Sequence, residues 1–359
     1  LFLRTNRDRL SCWLDRDCQQ VLHAPVNRRI GCDTVVQGVS LVRRFHVPPR
    51  VVLHLLPLAP FRLSLSFYHK LPTHPTCATL ARMARICDYE GHDYEGDFWA
   101  NQGREYEDLA ERFALRRLLP PRGRRLLDVG AGFGRLSEFY AGYDQVVLLD
   151  YSRSLLRQAK ARLDRAPRAA GDPRYVYVAA SFYAMPFVAD TFDAAMMVRV
   201  MHHVADVPAL LSELARTMPG GATFVLEHAN KRHLKAIARY ALRRQAWNPF
   251  SHEPYEFVEM NFDFHPDWMR ARLADAMFHV KHTLTVSHFR LPLLKRLMPA
   301  RLLAAVDNVL QPTGAWWQLS PSVFVRARCV GQDGILPDRQ DDLLSYFKCP
   351  DCGTTTLTD

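Results

Sequence analysis

Residues 125–135 read RLLDVGAGFGR, a short apolar run that ends in a glycine-rich turn. Glycines let the backbone turn sharply out of a strand and approach a ligand closely. The spacing is G-x-G-x-G, because Arg135 stands where the dinucleotide-binding fingerprint G-x-G-x-x-G requires its third glycine. The stretch therefore predicts a ligand-binding turn of an α/β protein that departs from the dinucleotide version.

Two acidic residues flank this turn. Asp128 lies two residues before the first glycine, and Asp150 ends the next apolar run, QVVLLD (145–150), 20 residues after Gly130. A carboxylate at the end of the second strand can accept hydrogen bonds from both hydroxyls of a ribose. The combination favours a nucleoside-containing ligand over the alternative, a tight turn that binds nothing.

Apolar runs alternate with helical patterns from residue 103 to residue 329, which is typical of a mostly parallel sheet covered by helices. We predict an α/β fold, Rossmann-like and doubly wound, with a mostly parallel seven-stranded sheet, helices on both faces and a helical, aromatic insertion after the fifth strand. Strands are predicted at 125–130, 145–150, 175–180, 192–200, 222–230, 279–289 and 323–329. Helices are predicted at 103–119, 134–143, 152–166, 207–218, 231–244, 266–277 and 291–310.

Four stretches carry a resemblance to a known family. LLDVGAGFGR and VVLLDYS resemble the first two cofactor motifs of class I S-adenosylmethionine-dependent methyltransferases, and AMPFVADTFDAAMMVRVMHHV (184–204) and ELARTMPGGATFVLE (213–227) are similar to the methyltransferase type 11 group. That group includes quinone and small-molecule C-methylases, and the resemblance covers roughly residues 90–330. It implies S-adenosylmethionine as cofactor, bound by Asp128, Gly130, Ala131, Gly132, Gly134, Asp150, Tyr151, Ser181 and Phe182. Ser181 stands where the family usually has an acid, so it brings a hydroxyl but no charge.

Methyl transfer from a sulfonium is an in-line displacement in which the cofactor supplies the activated carbon, so the protein mainly positions the acceptor. A base is needed only where the acceptor loses a proton. Candidate catalytic residues are Arg199, His202 and His203, which follow the fourth strand. The alternatives are that one histidine caps a helix while the other packs, and that Arg199 pairs with a carboxylate of the fold rather than with an anionic substrate.

Further candidates follow the fifth strand and lie in the insertion. They are Glu227, His228, Asn230, Lys231, Asn261, Asp263 and His265. Six aromatic residues of the insertion could form the wall of an apolar acceptor pocket, although such residues are more often core: Trp247, Phe250, Tyr255, Phe257, Phe262 and Phe264. Tyr106 is the candidate for closing over the cofactor.

The predicted activity is methyl transfer from S-adenosylmethionine to a small, apolar or aromatic acceptor. The alternatives are an NAD(P)-dependent oxidoreductase and a methyltransferase acting on nucleic acid. The formal net charge of +10 invites the nucleic-acid interpretation, but residues 1–82 hold 12 Lys and Arg against four Asp and contribute +8 of it. We therefore expect a small-molecule partner rather than nucleic acid.

No apolar run is long enough to predict a membrane span, and the location predicted is the cytoplasm. The sequence does not indicate an oligomeric state.

The domain boundaries follow from these shifts in composition. Residues 1–88 are predicted to be a poorly structured or spuriously translated basic extension, with an accessory region or a targeting or nucleic-acid arm as alternatives. Residues 89–330 form the methyltransferase domain and 331–348 a linker. Residues 349–359 resemble the first half of a zinc ribbon, in which Cys349 and Cys352 have C-x-x-C spacing. Zinc is expected only if a second pair of ligands completes that site.

Overall fold

The computed structural model describes residues 89–91, 95–96, 99, 102–165, 173–331, 343–350 and 355. The predicted extension, 1–88, lies outside these residues. The helices are α1 (Glu105–Leu118), α2 (Arg153–Leu163), α3 (Val207–Arg216), α4 (Leu234–Ala241), α5 (Pro266–Asp275), α6 (Pro292–Leu297) and α7 (Ala300–Leu310). The strands are β1 (Gly123–Val129), β2 (Tyr143–Asp150), β3 (Arg174–Ala179), β4 (Ala194–Met197), β5 (Thr223–Ala229), β6 (Tyr255–Val258), β7 (Asn261–Asp263), β8 (Phe278–Val286) and β9 (Ser322–Cys329).

Seven strands form one sheet in the order β3-β2-β1-β4-β5-β9-β8. The first five are parallel, and β9 runs antiparallel to both β5 and β8. Strand order reverses beside β1, where ligands bind in open α/β sheets. The predicted Rossmann-like, mostly parallel seven-stranded sheet is therefore confirmed.

Two apolar clusters cover the two faces of this sheet, because its central strands are buried on both sides. Helices α1, α2 and α7 pack on one face through residues such as Leu115, Leu156 and Leu303. Helices α3 and α5 pack on the other through residues such as Leu211 and Leu273. The sheet thus holds the carboxyl ends of β1, β2, β4 and β5 at one fixed edge.

The connection from β1 to β2 differs from the prediction of a helix over 134–143. It contains only a 3₁₀ turn, Ser137–Phe139, within a series of i to i+3 hydrogen bonds that ends at Tyr143. The Tyr140 ring is fully buried, and its hydroxyl donates to Asp128. The buried ring and its bond to Asp128 anchor Tyr140 inward, and the segment around it forms tight turns in place of an α-helix. The helix predicted over 291–310 is likewise two helices, since Pro299 follows the end of the first.

The insertion after β5 contains α4, the antiparallel hairpin β6–β7 and α5. The sequence pattern did not predict the hairpin. Phe262 and Phe264 enter the core, and the latter stacks on Trp268 at 5.5 Å between ring centroids. Among the described residues, no helix is both long and apolar enough to cross a membrane.

The chain returns to the domain near its last described residues. The Val188 amide donates to the Tyr346 carbonyl and the Lys348 amide to the Pro186 carbonyl, both at 3.0 Å. Phe347 packs on Phe187, and Cys349 is buried. The end of the predicted linker is therefore attached to the domain, whereas Cys352 lies outside the described residues.

Candidate functional site

A cavity opens at the carboxyl ends of β1, β2 and β4, beside the reversal of strand order. It brings together residues that are far apart in the chain, from the glycine turn, the end of β2, the loop after β3 and the end of β4. Its lining is Tyr89, Trp99, Asp128, Val129, Gly130, Ala131, Gly132, Phe133, Arg135, Leu136, Leu149, Asp150, Tyr151, Leu155, Ala180, Phe182, Val198, Arg199, Val200 and His203.

The three glycines of the turn all have positive φ angles, +72°, +54° and +74° in chain order, but they do different things. A Cβ on Gly130 would lie 2.2 Å from Val200, so that glycine allows β1 and the end of β4 to approach. A Cβ on Gly134 would meet Ala159 of α2 at 3.5 Å. A Cβ on Gly132 would meet nothing within 4 Å. Gly132 therefore keeps space open at the cavity, whereas Gly134 serves the packing of the turn.

The Asp150 carboxylate joins the turn to the end of β2. It accepts from the Gly132 amide at 2.8 Å and from the Ser152 amide at 2.9 Å. Burial raises its pKa to about 6, although these backbone donors lower it. With the Tyr151 amide as a third backbone donor, the two oxygens keep acceptor capacity for about one further donor from the cavity.

Asp128 is the second carboxylate of the cavity. It is buried and accepts from the Tyr140 hydroxyl at 2.5 Å. Burial raises its pKa to about 7, with a further increase from the negative charge of Asp150. The cavity thus contains two carboxyls that titrate near neutrality and favour a ligand that offers them donors or positive charge.

The loop after β3 contributes an apolar wall. Ala180 and Phe182 line the cavity opposite Tyr151 and Leu155 of the β2–α2 segment. Ser181 was predicted to line it as well, but it is absent from the lining, and its hydroxyl accepts from the Tyr183 amide at 3.2 Å. A serine can satisfy its own turn in this way, and the hydroxyl keeps its hydrogen for donation to another group.

Two aromatic residues ahead of α1 cover the cavity, and the sequence analysis missed both. The guanidinium groups of Arg135 and Arg199 lie over the Trp99 ring, 3.8 and 5.2 Å from its centroid. Tyr89 reaches His203. Tyr106, the predicted cover, is instead a buried residue whose hydroxyl donates to Asp307.

Arg199, at the end of β4, is held by carboxylates of the fold. Its φ is 60°, its amide donates to Glu227 at 2.9 Å, and its Nε donates to Glu111 at 2.6 Å. Burial alone would raise the pKa of Glu111, but Arg199 and Arg135 outweigh it and hold that pKa below its usual value. Of the two alternatives for Arg199, pairing with the fold is the one observed.

The two candidate histidines occupy different positions. His203 lines the cavity and is oriented on both sides: Nδ1 lies 2.9 Å from the Met260 carbonyl and Nε2 lies 3.1 Å from the Tyr89 hydroxyl. Because a carbonyl only accepts, Nδ1 carries the hydrogen and Nε2 is the basic nitrogen. Burial lowers the pKa of His203, so it is neutral at pH 7. His202 is not part of the lining, and its ring centroid lies 3.9 Å from that of His203 with a tilt of 45° between the rings. Burial and its neighbour lower the pKa of His202.

The remaining candidates lie outside this lining. Asn230 donates to the Gln318 and Ser320 carbonyls and so attaches the end of β5 to the segment before β9. Lys231 donates to the Ser251 and Glu253 carbonyls within the insertion. None of the six aromatic residues predicted as an acceptor wall is in the lining: two are core, and Phe250 and Phe257 are about half exposed.

Two sets of residues bear on metal binding. The ligand atoms of His252, His265 and Asp267 lie within 4.8 Å of one another. However, His265 Nδ1 accepts from the Asp267 amide as the N-cap of α5, which occupies that nitrogen. The predicted pair, Cys349 and Cys352, is described only at Cys349.

Comparison with known proteins decides the class of this site. A family model described as a methyltransferase domain matches residues 127–226, from β1 through β5. Residues 127–226 are a methyltransferase domain. Its cofactor is S-adenosylmethionine, as the resemblance implied, and the predicted enzyme class is confirmed. The dinucleotide alternative is not favoured, and Arg135 instead anchors Trp99.

Relatives match the methyltransferase domain over part of their length. The chain is 29% identical over 174 residues to a demethylmenaquinone methyltransferase of Clavibacter sepedonicus, covering 44% of this chain and 67% of the relative. It is 36% identical over 111 residues to the enzyme of that name from Renibacterium salmoninarum, covering 30% and 43%. A solved S-adenosylmethionine-dependent methyltransferase from Mesorhizobium loti is 22% identical, with a TM-score of 0.43 over 61% of this chain and 97% of that chain.

Proposed function

We propose that this chain transfers the methyl group of S-adenosylmethionine to a small, apolar or aromatic acceptor. The observation that carries the proposal is the meeting of the glycine turn, Asp150 and His203 around one cavity, within the range that the family model matches. In the displacement the methyl–sulfur bond breaks and its electron pair stays on sulfur, while an electron pair of the acceptor forms the new bond to carbon.

The cofactor roles follow from the donors and acceptors of the cavity. The remaining acceptor capacity of Asp150 suits a hydroxyl of the ribose. Leu155 and Phe182 give the adenine an apolar slot beside Tyr151. The Asp128 carboxylate and the open face of Gly132 lie toward the methionine end, where a carboxylate complements the ammonium group.

His203 is the proton acceptor in this proposal. A phenol, or a ring carbon that has just been methylated, must lose a proton, and the neutral Nε2 of His203 can take it directly or through the Tyr89 hydroxyl. The Met260 carbonyl fixes the required tautomer. Arg199 acts as a positioning residue through Glu111 and Trp99 rather than as a catalytic residue.

The acceptor class is supported by the lining and by the relatives. Val198 and Val200 give the cavity apolar walls near β4, and its polar lining residues are the two carboxyls, Arg135, Arg199, His203, Tyr89 and Tyr151. The relatives named above methylate demethylmenaquinone according to their names, and another, 30% identical over 156 residues, is a ubiquinone biosynthesis O-methyltransferase of Thiobacillus denitrificans. We therefore propose a quinol-type aromatic ring as acceptor.

The test is label transfer from methyl-labelled S-adenosylmethionine to a panel of acceptors. The panel contains a prenylated naphthoquinol, a catechol, duplex DNA and transfer RNA, with Asp150→Asn as the variant deficient in cofactor binding. We expect label on the aromatic small molecules with the unaltered chain and at least about tenfold less with the variant. Label on nucleic acid alone, or none on the aromatic acceptors, would contradict the proposal.

A further inference from the structure

The carboxyl edge of the sheet carries a set of large apolar side chains that face solvent. Pairs of them lie on α4 and its C-cap, on α6, and in the segment before β9. Each is more than half exposed: Leu234, Leu242, Leu293, Leu297, Trp316 and Trp317. We call these six residues the apolar rim. Apolar groups gathered at one edge of a molecule are typical of an interaction surface.

Backbone contacts join the three segments at one edge of the molecule. The Leu234 amide donates to the Leu319 carbonyl at 2.8 Å, which attaches the start of α4 to the segment that carries the two tryptophans. Ser322, the first residue of β9, pairs with Ala229 at the end of β5 and with Val286 at the end of β8. Helix α6 follows β8, so all three segments leave the sheet at the edge where the cavity opens.

The apolar rim is embedded in positive charge. Residues 231–245 contain six Lys and Arg and no acid, and all of these cations except Lys231 reach the surface. Residues 289–319 contain four Lys and Arg, of which Arg290 and Lys295 pair with Glu107, and a single acid, Asp307, which is buried. The rest of the chain from residue 83 does not share this excess, because residues 83–359 hold 35 basic and 33 acidic side chains in all. Helix α4 shows the pattern most clearly: Ala236 is its buried residue, while Leu234 and Lys235 are exposed.

Leucine and tryptophan interspersed with lysine and arginine fit the surface of an anionic bilayer. Apolar side chains of such a helix enter the boundary between headgroups and acyl chains, while the cationic groups remain at the level of the phosphates. Tryptophan prefers the same boundary. A second copy of this chain fits poorly, because a twofold interface would place the same cationic surface against itself.

We propose that the apolar rim docks this protein on the surface of an anionic lipid bilayer, with the mouth of the cavity near the headgroups. The rim lies on the membrane and does not span it. The inference goes beyond the proposed methyl transfer and does not depend on it, because docking needs neither cofactor nor acceptor.

The test is co-sedimentation of the full chain with vesicles of phosphatidylcholine, with and without about 30% phosphatidylglycerol. The test variant is Leu293→Ser/Leu297→Ser/Trp316→Ser/Trp317→Ser. The matched control is Met277→Ser/Val330→Ser, which removes two apolar side chains of 54% and 48% exposure. These residues lie at the opposite edge of the sheet, where the Val330 amide donates to the Met277 carbonyl. S-adenosylhomocysteine affinity, measured on every variant, reports an intact fold.

We expect the unaltered chain and the control to bind the anionic vesicles and the rim variant to bind about tenfold more weakly. A second variant, Lys235→Gln/Arg243→Gln/Arg296→Gln, should bind more weakly and lose salt dependence, which keeps the test decisive if the first variant does not fold. No binding to anionic vesicles, or undiminished binding by a folded rim variant, overturns the proposal. So does light scattering that shows a dimer dissociated by the rim substitutions.

Discussion

Substitution of Gly132 tests the position of the cofactor most sharply, because the chain provides a matched control two residues away. Gly132 and Gly134 both have positive φ angles, so alanine at either position carries the same type of backbone strain, about 1–2 kcal/mol. Only the two surroundings differ. A Cβ on Gly132 enters the open space of the cavity, whereas a Cβ on Gly134 makes ordinary contact with Ala159.

Overpacking a fitted site costs about 1–3 kcal/mol, which corresponds to a fall in affinity of about 5- to 150-fold. We therefore expect Gly132→Ala to weaken S-adenosylhomocysteine binding by that factor in calorimetric titration, and Gly132→Val to weaken it further. Gly134→Ala should bind within about threefold of the unaltered chain, while urea unfolding shows both alanine variants similarly destabilised. Equal losses of affinity in the two alanine variants, or no loss at Gly132, would refute this assignment.

Four further predictions concern the same cavity. Asp150→Asn places an amide against the backbone donors of Gly132 and Ser152, so calorimetry should show S-adenosylhomocysteine binding at least about tenfold weaker. The ionised form of Asp150 is the better hydrogen-bond acceptor, and its pKa is about 6. The affinity for S-adenosylhomocysteine should therefore fall as the pH drops through that value. Titrations across pH should show a weaker pH dependence in Asp150→Asn. His203→Asn should lower kcat by about 100-fold or more for an acceptor that must lose a proton, with cofactor affinity little changed. In the unaltered enzyme kcat should fall below pH 6.5, because His203 becomes protonated there. Trp99→Ala removes the ring that Arg135 and Arg199 contact, so stopped-flow measurement should show cofactor dissociation about fivefold faster or more.

The core of the site was predictable because its information is local. A strand, a glycine turn and a second strand follow one another over 125–150, and parallel pairing brings Asp128 and Asp150 to the same edge. The mostly parallel sheet was predictable from the alternation of apolar runs with helical patterns along the chain. The false helix at 134–143 shows the limit of that reasoning, because the burial of Tyr140 depends on a contact with Asp128 that no periodicity reveals.

The residues that cover the cavity were not predictable, because contacts between residues far apart in the chain position them. Trp99 is placed by two arginines that stand 36 and 100 residues further along the chain. Ser181 was assigned by its place in a motif, and the bond that its hydroxyl accepts from the Tyr183 amide could not be read from that motif. The aromatic insertion was ambiguous in sequence, since the same residues suit a pocket wall or a core.

Calorimetric titration of the full chain with S-adenosylhomocysteine and, separately, with NADH tests the central claim most directly. The glycine turn with Arg135 in place of the third glycine, together with the methyltransferase domain of residues 127–226, predicts saturable binding of S-adenosylhomocysteine and none of NADH. Binding of NADH without S-adenosylhomocysteine would contradict it.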